Sequence, residues 1–530
     1  MSLDASTSDP VVVSCPGKVL LAGGYLVLDR AHQGFVISTP SRFYTVVQPL
    51  ETPSDGFDRV RGQARDGRVR LSVRSPQFDD GKWEYDAVER DGEWTVEPVE
   101  SQSSSNSFVH LSLQATLQVA SVYAQPPKLD NLLITIVGSN DFYSQSREDS
   151  SIPVPFAPLN CTIRNVHKTG LGSSAAMVTS LTSALFLYWT SRLKSTGSSQ
   201  VQPVQKQLMH NLAQYVHSLA QGKIGSGFDV SAAVYGSQVY RRFDVKCLGN
   251  LLDAASEQKA SSRSLLSALS PSENALWTSS ASAAETAPFS LPPYMTLVLA
   301  DVDAGSNTPS MVGKVMRWKA ADPTEARRVW DELRRSNESL RDDFMRLRQA
   351  FESGKEEYLD EVKRLAKLPV AKWPENTTLP FAAAAQHILR TRALMREMGE
   401  RSDVPIEPEE QTRLLDECSR VEGVVGAGVP GAGGYDAIWV LCLSPPSDAS
   451  KDSRPTPPAT SSGPVSKIDA LLRSYRQMSV RPLSDTAWAV GSTGDERGDY
   501  RKGKGEVGLV RETIDDVEGL RDAVARAKKQ

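Results

Sequence analysis

The run Thr169-Gly170-Leu171-Gly172-Ser173-Ser174-Ala175-Ala176 joins two glycines and two serines directly to an apolar pattern. Met177, Leu181, Leu185 and Tyr188 follow at steps of three or four, the spacing of one helix face. The stretch predicts a loop that opens onto a helix N-terminus. Unpaired N–H groups and the positive end of the helix dipole converge there, which favours a bound phosphate. Glycine lacks the Cβ that would hold the anion off. Ser173 and Ser174 could donate hydroxyls to a phosphate or coordinate Mg²⁺. An ordinary Gly/Ser helix start has the same composition, so the run alone does not decide.

Three further stretches carry groups of the right chemistry. Val11-Val12-Val13 leads into Cys15-Pro16-Gly17-Lys18-Val19-Leu20-Leu21-Ala22-Gly23-Gly24-Tyr25. It reads as a strand, a tight turn with one lysine, and a second strand. Asp229 ends Gly225-Ser226-Gly227-Phe228-Asp229, where a lone aspartate is ordinarily a turn or helix cap. Gly426-Ala427-Gly428-Val429-Pro430-Gly431-Ala432-Gly433-Gly434-Tyr435-Asp436 precedes an apolar strand pattern, Ala437 to Leu443. Gly426 to Gly431 also fits G-x-G-x-x-G, but a dinucleotide site needs a strand before it and a helix after it. Here the helix-like segment, Glu409 to Val421, comes first, so that reading fails. No G-x-x-x-x-G-K-[ST] occurs, which excludes a Walker A loop.

The glycine-rich elements at Lys18, Gly170 and Gly431, in that order, resemble the GHMP kinase superfamily, from about Val11 to Leu443. The resemblance implies an α+β fold with two lobes and ATP and substrate in the cleft between them. The N-terminal lobe, 1–250, would be like domain 2 of ribosomal protein S5. A Ser/Ala-rich insertion or linker would span 251–290. A ferredoxin-like C-terminal lobe would cover 291–530, with a Ser/Pro-rich, disordered segment at 445–464. Phosphoryl transfer requires a phosphate cradle, Mg²⁺, charge neutralisation and an aligned nucleophile. Lys168, Gly170, Leu171, Gly172, Ser173, Ser174 and Ala175 would bind the ATP phosphates, with Ser174 also on the metal. Lys18 would neutralise the transferred group, paired with Asp229 as a catalytic unit. Tyr25, Ser226, Gly227, Ser306, Asn307, Gly431 and Gly433 would face the substrate. One feature departs from the pattern. Mevalonate-type members carry a metal-binding glutamate upstream of the aspartate, whereas this chain has His217-Ser218 there.

Within the superfamily, Lys223 to Gly236, Asp303 to Val312 and Gly428 to Asp436 resemble the branch whose acceptor is 5-phosphomevalonate. The implied reaction yields 5-diphosphomevalonate and ADP, a step of the mevalonate route to isoprenoids and sterols. The nucleophile would be a phosphate oxygen, largely ionised near neutrality because a phosphate monoester's second pKa is about 6. A strong base is then unnecessary, and Asp229 would orient Lys18 or substrate. Basic side chains are expected near Lys18 and the Ser306-Asn307 loop, with Arg42, Lys223 and Arg241 as candidates. The rivals are a kinase acting on mevalonate or another small alcohol, and a catalytically silent ligand sensor.

These residues need a large scaffold. A chain of 530 residues predicts two to four domains, and 40% hydrophobic with 23% charged residues is ordinary for a globular protein. A net charge of −4 gives no reason to expect nucleic acid or an anionic membrane. No apolar run of about 18 residues predicts a membrane span. Five scattered cysteines without a C-x-x-C pair argue against zinc and for a reducing compartment. The N-terminus lacks a signal pattern and Lys528-Lys529-Gln530 is no peroxisomal tripeptide, so a cytoplasmic location is expected. Helices are expected over Phe108 to Tyr123, from the Gly-Ser loop to about Leu193, over Gln205 to Leu219, and in Thr324 to Lys367 and Pro380 to Met398. Strands are expected at Leu132 to Val137, Gln238 to Phe243 and Leu297 to Val302.

Overall fold

The computed structural model describes residues 9–50, 68–99, 106–124, 129–144, 154–191, 202–256, 261–277, 287–302, 308–374, 378–446, 463–483 and 508–530. The strands are β1 (Val11–Ala22), β2 (Gln33–Pro49), β3 (Arg68–Arg74), β4 (Lys82–Arg90), β5 (Glu93–Pro98), β6 (Leu132–Gly138), β7 (Gln238–Arg241), β8 (Ala287–Pro288), β9 (Met295–Val302), β10 (Val424–Gly428), β11 (Ala437–Leu443), β12 (Val480–Pro482) and β13 (Val510–Glu512). The helices are α1 (Ser107–Tyr123), α2 (Ser173–Trp189), α3 (Pro203–Gln221), α4 (Phe228–Tyr235), α5 (Gly249–Ser256), α6 (Ser262–Leu269), α7 (Thr308–Ala321), α8 (Pro323–Ser353), α9 (Lys355–Leu365), α10 (Phe381–Ser402), α11 (Glu409–Ser419), α12 (Pro464–Ser474) and α13 (Leu520–Lys529). Among the described residues no helix is long and apolar enough to cross a membrane.

The strands form two sheets. The first runs β13-β1-β2-β6-β3-β4-β5, with β7 on β2 and β8 on β7. Among the described residues, β3 and β6 form the one parallel pair. Side chains alternate across a strand, so a strand buried on both faces reads as an unbroken apolar run. Val11, Val13 and Cys15 of β1 enter the main core with α1, α2 and α3. Val12 faces the other way, against Tyr44, Val46, Val137 and the α13 residues Leu520, Ala523 and Val524. The second sheet is antiparallel, in the order β10-β11-β9-β12. Val298, Ala300, Ile438 and Val440 pack on α11 and α12, whereas Leu297, Leu299, Trp439 and Leu441 join the core containing α8 and α10.

Most expected elements are present, and four differ. Val11 to Ala22 is one continuous strand rather than strand–turn–strand, and Tyr25 lies in the short 3-10 turn Gly24–Leu28 that follows it. A register shift between Pro16 and Lys18 bulges the strand, and such bulges re-aim a side chain. Phe228–Tyr235, given no element from sequence, forms the short helix α4 ahead of β7. The 251–290 segment contributes α6, whose Leu265, Leu266 and Leu269 are buried in the main core. Residues 508–530 were expected in the C-terminal lobe, but β13 pairs with β1 and α13 covers the first sheet.

Arg42 explains that last placement. Its guanidinium is fully buried, donates from Nε to Ser14 Oγ at 2.8 Å, and lies 4.0 Å from the Glu512 carboxylate. Ser14 in turn donates to Glu512. A buried charge is tolerated when it is paired and hydrogen-bonded. Arg42 is therefore a clasp for the last strand, and its expected place beside the acceptor site is not what the structure shows. Glu512→Ala should lose about 3–5 kcal/mol of stability, the usual result of orphaning one member of a buried pair. Glu512→Gln should lose less, because the amide oxygen still accepts. Urea unfolding of both variants measures this.

Candidate active site

The bulge in β1 sets the position of Lys18. The backbone N–H of Lys18 donates to Leu171 O at 2.8 Å, and its Nζ donates to Gly170 O at 2.9 Å. The lysine strand and the Gly-Ser loop are thus stitched together at two points. Lys18 Nζ also lies 5.4 Å from the centre of the Phe228 ring. Burial pushes the ammonium below the usual lysine pKa, and the nearby Asp229 and Asp436 carboxylates oppose that shift.

Gly172 is the cap residue of α2, with φ +78° and no side-chain capping bond. The N–H groups of the first turn have no intrahelical acceptor. A Cβ at Gly172 would lie 2.9 Å from Lys18 Cε, so this position needs glycine for both conformation and space. Helix α4 likewise starts at Gly227 without a side-chain cap, and its first turn holds Asp229. Asp229 Oδ1 accepts from its neighbour Val230 N at 3.0 Å. Ser174 Oγ is 3.1 Å from His217 Nε2, and Asp229 Oδ2 is 4.0 Å from that same nitrogen. Burial lowers the His217 pKa, which Asp229 counters and Lys223 assists.

The second lobe closes the cleft. Gly433 has φ +76°, and a Cβ there would lie 2.1 Å from Ile406 O. Gly434 N donates to that same carbonyl at 2.8 Å. The 430–434 turn is therefore pressed against the loop after α10. Arg392 anchors that loop through two bonds to the buried Glu407, at 3.0 and 2.6 Å. Tyr25 Oη donates to Ala432 O at 3.0 Å and ties the turn to the first lobe.

A cavity of about 160 Å³ lies between these parts. Of the expected site residues, Lys18, Tyr25, Gly170, Ser226, Gly431 and Gly433 line it. Leu171, Gly172, Ser173, Ser174 and Ala175 form the adjoining loop and first helical turn. Gly227 caps the helix that carries Asp229. Lys168 is exposed and bridges to Tyr143, and it does not line the cavity. Lys223 is exposed, and Arg241 donates to the Arg30 and Ala31 carbonyls. Ser306 and Asn307 lie outside the described residues.

Sequence reasoning missed two residues. Asp436 lines the cavity, and a Cβ on Gly170 would lie 3.3 Å from its own Cβ. Its signal was its place at the end of the third glycine-rich element. His217 was noted only as the place of a missing glutamate. Its spacing of four from Gln221 put both on one helix face, but nothing pointed that face at Ser174.

Among the described residues no cluster of three or more His, Cys, Asp or Glu could enclose a metal. Mg²⁺ needs none, since it is usually held by one or two carboxylates together with substrate phosphates and water. The Ser174 hydroxyl and Asp229 carboxylate, which meet at His217, are oxygen donors of that kind.

Two uncapped helix N-termini, a lysine held between carboxylates and a glycine-rich closing turn form the cleft of a small-molecule kinase of the GHMP class. The sequence model described as GHMP kinases N terminal domain matches residues 148–237. A Listeria innocua protein of known structure, Lin0012, superposes with a TM-score of 0.54 at 14% identity, covering 90% of this chain and 97% of that one. It shares the fold. A phosphomevalonate kinase of Aspergillus fumigatus is 38% identical over 462 residues, covering 82% of this chain and 87% of the relative. A phosphomevalonate kinase of Arabidopsis thaliana, named as peroxisomal, is 35% identical, covering 82% of this chain and 90% of the relative. The chain belongs to the phosphomevalonate kinase family.

Gly172→Ala should displace Lys18 and strain the loop. We expect kcat to fall about tenfold or more, since small misplacements of a reacting group are costly. In a Lys18→Met background the same change should cost little further, which steady-state kinetics of the three variants will show.

Proposed function

We propose that this enzyme transfers the γ-phosphoryl group of ATP to the phosphate of 5-phosphomevalonate, releasing 5-diphosphomevalonate and ADP. The observation that carries the reading is the convergence of Lys18, Gly170 of the loop that opens α2, and the 430–433 turn on one cavity. Nucleotide phosphates lie on the amides of Gly170 to Ala175. Mg²⁺, when bound with the nucleotide, would be held by the Ser174 and Asp229 oxygens and would neutralise phosphate charge. The Lys18 ammonium keeps one N–H on Gly170 O and offers the others to the transferred group. Asp229 orients that ammonium, because an already ionised phosphate nucleophile needs no strong base. Tyr25, Ser226, Gly431 and Gly433 shape the acceptor side. Asp436 belongs to the same unit and holds Lys18 in its charged form from the second lobe. Five unpaired cysteines suit a reducing compartment, and a cytoplasmic location is part of the proposal.

The test is ADP release with Mg·ATP and either 5-phosphomevalonate or mevalonate. Turnover with the phosphorylated acceptor alone is expected. Turnover with mevalonate would move the chain to an alcohol kinase and make Asp229 a base. Lys18→Met should lower kcat about 10²–10³-fold, the scale of losing one preorganised donor to developing charge. Asp229→Asn should cost less than about 100-fold, the low end of a general base's contribution.

The depressed Lys18 pKa also predicts a pH effect. The ammonium is present below that pKa and lost above it, so kcat/KM should fall as pH rises. The midpoint should lie below the ordinary lysine value of 10.5. Lys18→Arg should abolish that alkaline limb, whatever its residual rate, because arginine stays charged throughout.

A further inference from the structure

His217 is almost wholly buried on α3, beyond the cavity lining, and the reaction as described does not use it. Its Nε2 meets three groups: Ser174 Oγ at 3.1 Å, Gln221 Nε2 at 3.0 Å and Asp229 Oδ2 at 4.0 Å. The Phe108 ring lies 6.2 Å away. The Gln221 amide nitrogen has only protons to offer, so the imidazole nitrogen facing it carries a lone pair. That lone pair also faces the Ser174 hydroxyl. A serine hydroxyl has one proton and two lone pairs. Once its proton points at His217, what Ser174 offers to the cleft is oxygen lone pairs only. Such a group suits a cation and not a phosphate oxygen, which needs a donor.

We infer that His217 is a positioning residue that fixes the Ser174 proton and so makes Ser174 a ligand of the nucleotide-bound divalent cation rather than a phosphate donor. The inference rests on the kinase reading for the presence of Mg-nucleotide in this cleft. It decides between two roles that the sequence left open for Ser174. It also accounts for an imidazole on α3 where mevalonate-type members carry a metal-binding glutamate: the histidine directs the ligand instead of being one.

The test is calorimetric titration of the full chain with ADP, with and without Mg²⁺. In the wild type Mg²⁺ should tighten ADP binding. His217→Leu should reduce that increment about tenfold and leave metal-free ADP affinity within about twofold. His217→Gln should restore most of it, since the glutamine amide oxygen can accept where Nε2 did. In a Ser174→Ala background, His217→Leu should change nothing further. Equal weakening with and without Mg²⁺, additive effects of the two changes, or failure of glutamine to rescue would overturn the inference. Should His217→Leu not fold, Ser174→Ala alone serves: it must lose the Mg²⁺ increment and keep metal-free affinity. Loss of metal-free affinity would make the hydroxyl a phosphate donor. A wild type that binds ADP but does not phosphorylate 5-phosphomevalonate would sink the proposed reaction and leave this readout standing.

Discussion

The structure turns on the double link between Lys18 and the Gly170-Leu171 backbone. One bond is from main chain and one from the side-chain ammonium. Together they fix a charged group of β1 against the start of α2. An ammonium in a closed cleft is costly unless it is paired, and burial lowers its pKa accordingly. Asp229 from the first lobe and Asp436 from the second supply the opposing field. The lysine is therefore held between lobes, and each lobe is incomplete as a site without the other.

The remaining architecture holds this junction rigid. The bulge at Gly17 and Lys18 turns the ammonium toward the loop, and β1 is fixed by β2 on one side and β13 on the other. The buried Arg42, Ser14 and Glu512 contacts tie the chain's last strand to that same β1. On the opposite lobe, Arg392 and Glu407 brace the loop against which Gly433 is pressed. Two buried ion pairs outside the cavity lining thus serve its geometry. Gly172 and Gly433 sit where lysine and carbonyl atoms respectively leave no room for a Cβ.

Neutralisation dominates the chemistry this cleft supports. Two phosphorylated substrates repel each other, and in the proposed reaction they would meet amide dipoles, the Lys18 ammonium and a divalent cation. No carboxylate is required to take a proton from an ionised phosphate. This explains how a buried histidine can stand beside Ser174 and Asp229 where an acid would otherwise bind metal. The phosphates supply much of the cation's coordination, and the protein has only to present a few correctly oriented oxygens.

The sequence by itself determined the parts with strong local signals. Glycine and serine before a 3.6-residue apolar pattern specified the α2 cradle, and apolar runs specified the buried strands. Lys18 and Asp229 stood out as candidates because they sit inside short, composition-biased stretches, and the fold brings them close together. Only the tertiary structure decided which distant groups face them. Asp436 and His217 act across 418 and 43 residues of chain, on Lys18 and Ser174 respectively, and no local periodicity encodes such a meeting. Arg42 shows the converse: a basic residue is equally plausible from sequence at a phosphate or in a clasp, and burial beside Glu512 chose the clasp. The last strand was assigned by position to the second lobe, but free β1 hydrogen-bonding groups and an uncovered sheet face placed it in the first. Pairing of sheet edges and burial of apolar faces are long-range demands, which chain order does not reveal.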